Sequence, residues 1–161
     1  MSTTLTAAVL TVSDSSFVGE RADSSGPAVA QALLAAGFTL VAQEIVPDEL
    51  GQIAAAILQL SELARLVITT GGTGIAPRDV TPEATRGVCT RLVEGIPELM
   101  RAEGLKKTPF AVLTRGVCGV IGTSLVLNLP GSPKGAVESL TAVQHLLPHC
   151  LSLIAGDTRH E

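Results

Sequence analysis

Hydrophobic and polar positions alternate in period along the chain, between strand-like runs and helical stripes. Leu5 to Ser13 (LTAAVLTVS) is a continuous apolar run and predicts a buried strand. After a polar loop, Ser25-Gly26-Pro27 opens a helix: a small polar residue fits the cap and proline fits the first turn. Val29, Ala30, Leu33 and Leu34 supply its apolar face, and Gly37 ends it. Thr39 to Val46 predicts a second strand, stopped by Pro47-Asp48. Leu50, Ile53, Ala54, Ile57 and Leu58 follow the spacing of one buried helix face. Arg65 to Thr70 (RLVITT) is a short apolar strand that runs into Gly71-Gly72-Thr73-Gly74.

Thr81-Pro82 opens the next helix, with Thr at the cap and Pro at the first helical position. A further helical stretch covers Glu98 to Glu103. Ser124 to Leu129 (SLVLNL) predicts another strand, broken by Pro130-Gly131-Ser132-Pro133. The last helical stretch starts near Pro133 and carries Ala136, Val137, Leu140, Val143 and Leu147; Pro148 kinks or restarts it. Gly156 to Glu161 reads as a loose tail. Strands alternating with helices predict an α/β fold, a mostly parallel sheet with helices on both faces. Ligands bind such sheets at the carboxyl ends of the strands. That rule gathers four loops on one rim: Ser13-Asp14-Ser15, Pro47-Asp48, Gly71 to Asp79, and Pro130 to Pro133.

Length adds one domain to the picture: 161 residues, with a core over about 5–155 and a short tail. A 46% hydrophobic content and a mean hydropathy of +0.44 exclude a disordered chain. No apolar run is long enough to span a membrane, and the N-terminus lacks the basic start of a signal peptide, so a cytoplasmic protein is expected. The net charge of −4, with no Trp or Tyr, argues against nucleic acid as a partner. Cys89, Cys118 and Cys150 form no CxxC and read as reduced thiols. His145 and His149 lie one helical turn apart, but Pro148 interrupts them, so no metal site is expected there.

The glycine loop of Thr69 to Thr85 (TTGGTGIAPRDVTPEAT) carries most of the candidate chemistry. Its glycines allow positive φ and close approach to a ligand, and successive amides can form an anion nest. It lacks the lysine of a phosphate-binding P-loop, and Pro77 stands where a dinucleotide fingerprint needs glycine. Asp79, just before a helix, either favours the helix dipole or sits over a phosphate; two such anions need a divalent cation between them. Asp48 faces the same alternative, helix cap or ligand of metal or substrate. Ser13 and Asp14 form a turn or border the ligand. Arg78, Arg101, Arg115 and Lys134 are candidate phosphate partners.

Three segments resemble a known family: Thr11-Val12-Ser13-Asp14-Ser15, TTGGTGIAPRDVTPEA from Thr69 to Ala84, and LNLPGSPK from Leu127 to Lys134. The chain is similar to the molybdopterin adenylyltransferases of molybdenum cofactor biosynthesis, a domain also found in gephyrin. The resemblance implies a three-layer α/β/α sandwich and a homotrimer or hexamer. It implies adenylyl transfer from ATP to molybdopterin with Mg²⁺. By resemblance, Asp48 and Asp79 are the catalytic and metal-binding aspartates. Substrate contacts fall to Thr70, Gly71, Gly72, Thr73 and Gly74, to Ser13 and Asp14, and to Pro130, Gly131, Ser132 and Pro133. A molybdenum-insertion protein is the implied partner. A module that binds molybdopterin without adenylylating it would use the same cleft, and an oligomeric scaffold would keep the cleft only as a vestige.

Overall fold

A computed structural model describes residues 4–159. The chain runs β1 (Thr6–Val12), α1 (Asp14–Phe17), α2 (Ser25–Ala35), β2 (Thr39–Val46), α3 (Leu50–Leu63), β3 (Leu66–Thr70), α4 (Thr81–Val88), β4 (Arg91–Leu92), α5 (Gly95–Leu105), β5 (Cys118–Ile121), β6 (Ser124–Leu129), α6 (Pro133–Val143) and α7 (Leu147–Ile154). A tight helical turn over Pro109–Leu113 follows α5, and another over Gln144–Leu146 separates α6 from α7.

The sheet order is β2-β1-β3-β6-β5-β4. The first four strands are parallel, and β5 lies antiparallel to both β6 and β4. Alternation along the strands sorts the core into two layers. Ala7, Val9, Leu66, Ile68, Leu125 and Leu127 point to the side covered by α2, α5, α6 and α7. Ala8, Leu10, Val12, Val67 and Val126 point to the side covered by α3 and α4. The result is the expected α/β/α sandwich, and β1, β3 and β6 end side by side on one rim.

Several local expectations are corrected. The buried face of α3 is Ile53, Ala56, Ile57 and Leu60, whereas Leu50 and Leu58 are exposed. Leu34 is likewise exposed on α2. Gly37 does end α2: its φ is +91°, and the amides of Gly37 and Phe38 return to the carbonyls of Leu34 and Leu33. Val80 takes the N-cap position of α4, so Thr81 and Pro82 both lie inside the helix. Pro148 restarts the chain as α7, one residue past its start. Of the tail expected over Gly156 to Glu161, residues 160–161 lie outside the described residues, as do 1–3 of the N-terminal segment. No described helix is long and apolar enough to cross a membrane.

Candidate functional site

The rim where β1, β3 and β6 end holds a cleft of about 390 Å³, within the usual size of small-molecule sites. Eight of the predicted residues line it: Ser13, Asp48, Thr70, Gly71, Gly72, Asp79, Gly131 and Ser132. Their positions follow from chain reversal at the ends of parallel strands. Gly71 continues β3 with φ +101°, and a Cβ there would stand 2.2 Å from the Val12 carbonyl oxygen. A Cβ on Gly131 would meet Gly71 Cα at 3.3 Å, so these two loops touch backbone to backbone. Thr70 Oγ1 donates to the Pro130 carbonyl at 2.7 Å and ties the same two loops. Ser132 Oγ accepts from the Gly135 amide and caps α6.

Asp14, Thr73, Gly74, Pro130 and Pro133 do not line the cleft. Asp14 instead supports it. Its backbone N–H donates to Asp48 Oδ2, and its carboxylate is gripped by Arg78 Nε at 2.6 Å and Nη2 at 3.0 Å. That hydrogen bond from Arg78 holds the Asp14 carboxyl below the usual carboxylate range. Arg78 also reaches Glu49 Oε1 at 3.0 Å. Thr73 is buried under the loop, and Pro130 lines a neighbouring cavity of about 520 Å³ between α5 and α6, which shares Ser132 with the cleft.

Asp48 does not cap α3; Glu49 holds that position, and Asp48 Oδ1 lies over Gly72, 3.1 Å from where a Cβ would stand. Burial raises its pKa, and the charges of Asp14 and Asp79 add to the rise, against the Asp14 N–H and Arg78. Asp79 closes a short turn: its amide donates to the Ala76 carbonyl, and its Oδ2 accepts from the Ala76 amide, both at 2.9 Å. Each aspartate thus fixes one carboxylate oxygen on a backbone amide. Asp48 Oδ1 and Asp79 Oδ1 accept no hydrogen bond from the described residues.

The glycine loop shows a matching asymmetry. The carbonyls of Gly71, Gly72, Thr73 and Gly74 all accept hydrogen bonds, from Thr81 and Arg115. The amides of Gly72, Thr73, Gly74 and Ile75 find no acceptor among the described residues. Unpaired backbone donors gathered on one loop favour an anion. Against them stand two carboxylates, and no group of three metal-ligating side chains forms among the described residues. Two carboxylate oxygens without protein partners, beside free amides, fit a Mg²⁺ ion shared with substrate phosphates rather than a cation caged by protein.

None of Arg78, Arg101, Arg115 and Lys134 lines the cleft; the arginine that does is Arg21. Asp23, Ser24 and Ser25 form the same wall and were missed from the sequence. Asp23 accepts from Thr11 Oγ1 at 2.8 Å and from the Gly26 amide at 3.0 Å, which pins the start of α2 to β1. The available signal was an acidic residue three positions before a helical amide. Burial pushes the Cys89 thiol to about 11 and Cys118 higher still, so neither is a ready nucleophile.

Known proteins share the sequence and fold of this chain. Residues 8–149 match the family described as "Probable molybdopterin binding domain". The chain is 41% identical over 153 residues to a molybdopterin adenylyltransferase of Helicobacter pylori, covering 92% of this chain and 87% of that protein. It is 42% identical over 157 residues to the molybdenum cofactor synthesis protein cinnamon of Drosophila melanogaster, covering 95% of this chain but only 26% of that protein. Among solved structures, the molybdopterin biosynthesis enzyme MoaB of Thermus thermophilus superposes with a TM-score of 0.89 at 52% identity, over 94% of this chain and 97% of the other. The chain belongs to the molybdopterin-binding domain family.

Proposed function

We propose that this protein transfers the adenylyl group of ATP to the terminal phosphate of molybdopterin, releasing pyrophosphate, as a step in molybdenum cofactor biosynthesis. One observation carries the reading. Asp48 and Asp79 each leave one carboxylate oxygen free beside a run of backbone amides that lack acceptors. The relatives named molybdopterin adenylyltransferase support it.

The acceptor phosphate oxygen bonds to the α-phosphorus of ATP as the bond to the bridging β-phosphate oxygen breaks; the electron pair leaves with pyrophosphate. Phosphoryl chemistry of this kind asks for positioning and charge stabilisation rather than a protein nucleophile. The unpaired amide of Gly72, in the cleft wall, holds phosphate oxygens. Asp48 and Asp79 hold Mg²⁺, which when bound neutralises phosphate charge. Ser13, Gly131 and Ser132 border the cleft and orient the substrates; Asp14, Thr73, Gly74, Pro130 and Pro133 hold the bordering loops in place. The same reading makes the chain a single cytoplasmic domain, assembled as a homotrimer or hexamer, that passes its product to a molybdenum-insertion protein.

The test is pyrophosphate release on mixing the protein with molybdopterin, ATP and Mg²⁺. Wild type is expected to turn over, and Asp79→Asn to lose turnover with its fold intact. Pterin binding with no nucleotide consumed, or unchanged turnover in Asp79→Asn, overturns the assignment.

A further inference from the structure

Arg115 binds the glycine loop at several points. It lies between the turn at Pro109–Leu113 and β5, and does not line the cleft. Yet four of its groups engage the glycine loop or its flank. The Arg115 amide donates to the Thr73 carbonyl at 2.7 Å. Nε donates to the Gly74 carbonyl at 2.8 Å and Nη2 to the Asp79 carbonyl at 2.9 Å. Nη1 pairs with Glu83 on α4. The segment from Gly71 to Val80 has no helix or strand of its own, so these bonds replace the ladder that regular structure would supply.

The partition of carbonyls from amides has a chemical consequence. The carbonyl of one residue and the N–H of the next belong to one peptide group. A donor on the carbonyl polarises that group and strengthens its N–H as a donor. The Arg115 side chain holds the carbonyls of Gly74 and Asp79, whose peptide groups carry the N–H of Ile75 and Val80. Neither N–H has an acceptor among the described residues. A guanidinium on an oxygen is a charge-assisted donor, roughly twice as strong as a neutral one. The positive charge therefore acts on two peptide groups of the loop that carries Gly72 and Asp79, both in the cleft wall, without itself lining the cleft.

We propose that Arg115 is a positioning residue for phosphate binding: it holds the carbonyls of the glycine loop, fixes the turn that keeps Asp79 in the cleft wall, and polarises the amides of Ile75 and Val80 on the same loop. The proposal rests on reading this loop as the phosphate site.

The test is calorimetric binding of inorganic pyrophosphate with Mg²⁺, beside steady-state kinetics and thermal unfolding, on Arg115→Met, Arg115→Lys and Glu83→Gln. Arg115→Met is expected to weaken pyrophosphate binding at least tenfold and to raise KM for ATP in step. Arg115→Lys, which keeps the charge but loses the fork, is expected to fall between Met and wild type. Glu83→Gln, which removes the ion pair but leaves both carbonyl bonds, is expected to stay within twofold. If Arg115→Met does not fold, Arg115→Lys decides: at least threefold weaker binding supports the proposal. Lowered thermal stability with unchanged pyrophosphate affinity and KM means a purely structural residue and overturns it. Glu83→Gln as weak as Arg115→Met also overturns it, because the ion pair would then carry the effect. Failure of the wild type to bind pyrophosphate strikes the phosphate reading of the loop, and the proposal with it.

Discussion

Asp14 and Asp48 exchange hydrogen bonds: the amide of each donates to the carboxylate of the other, both at 2.9 Å. The pair locks the end of β1 to the turn after β2. It also holds two carboxylates close together, with Asp79 near enough to add to the repulsion at Asp48. A substitution that removes charge while keeping shape separates stability from activity. Asp48→Asn can still accept from the Asp14 amide through its side-chain oxygen. Turnover is expected to fall by about 10²–10³, the usual loss for a preorganised electrostatic group. The thermal midpoint at neutral pH is expected to stay at or above that of wild type, because a half-buried charge is gone. Pyrophosphate release and scanning calorimetry check the two arms.

The same carboxyl sets a pH dependence. Burial raises the pKa of Asp48 in the folded chain, so between the unfolded and folded values the folded state holds more protons. Its contribution to stability therefore falls as pH rises through that window. Asp14 works in the opposite sense: its pKa is lowered by Arg78, so its contribution is present above the unfolded value and lost as pH falls. Turnover needs Asp48 ionised. Its acid limb is expected above the ordinary aspartate value of about 3.9. An acid limb at or below that value, in a pH profile of kcat/KM, which reports the free enzyme, contradicts the assignment.

Gly71→Ala is expected to destabilise the chain by about 1–3 kcal/mol or more, from a strained φ alone. The added Cβ would also press on the backbone at Val12, which cannot swing aside as a flexible side chain would. Urea unfolding measures the loss. Gly51→Ala, in an open position on α3, serves as the control and is expected to be neutral or stabilising.

Asn128 is fully buried and spends its whole amide. Nδ2 donates to Thr69 Oγ1 at 2.9 Å and to Thr85 Oγ1 at 3.0 Å, and Oδ1 accepts from the Val117 amide at 3.1 Å. Asn128→Leu leaves the Val117 N–H buried without that acceptor, at a cost of about 1–3 kcal/mol. Chemical denaturation is expected to show a loss of at least that size.

Much of this architecture was legible because long apolar runs and helical stripes are strong signals. The runs at β1, β2, β3 and β6 were placed to within about one residue, and the rim followed from their parallel order. The strands β4 and β5 were not read. Arg91–Leu92 is too short to show a period, and Cys118–Ile121 contains Gly119, which packs against Cys89 and could carry no larger side chain. Leu50 and Leu58 misled for a different reason: the stripe they extend is wider than the surface α3 covers. At the site, Asp48 and the glycines were legible as residues after strand ends, and Asp79 as a residue before a helix. Arg115 was read as a direct phosphate partner but bonds the loop carbonyls outside the cleft, and Asp23, whose only local signal was its place before a helix, is tied to β1 by a bond the sequence does not record.

The walls of the cleft are drawn from Thr11 at the end of β1 to Ser132 before α6, with Asp48 and the glycine loop between. They meet only where the three central strands finish. A cut at any point from 14 to 131 separates at least one wall from the rest, so no fragment inherits a working pocket. Occupancy is accordingly a property of the completed sheet: a ligand seated there would oppose global unfolding, and nascent chains would gain it only after β6 has docked.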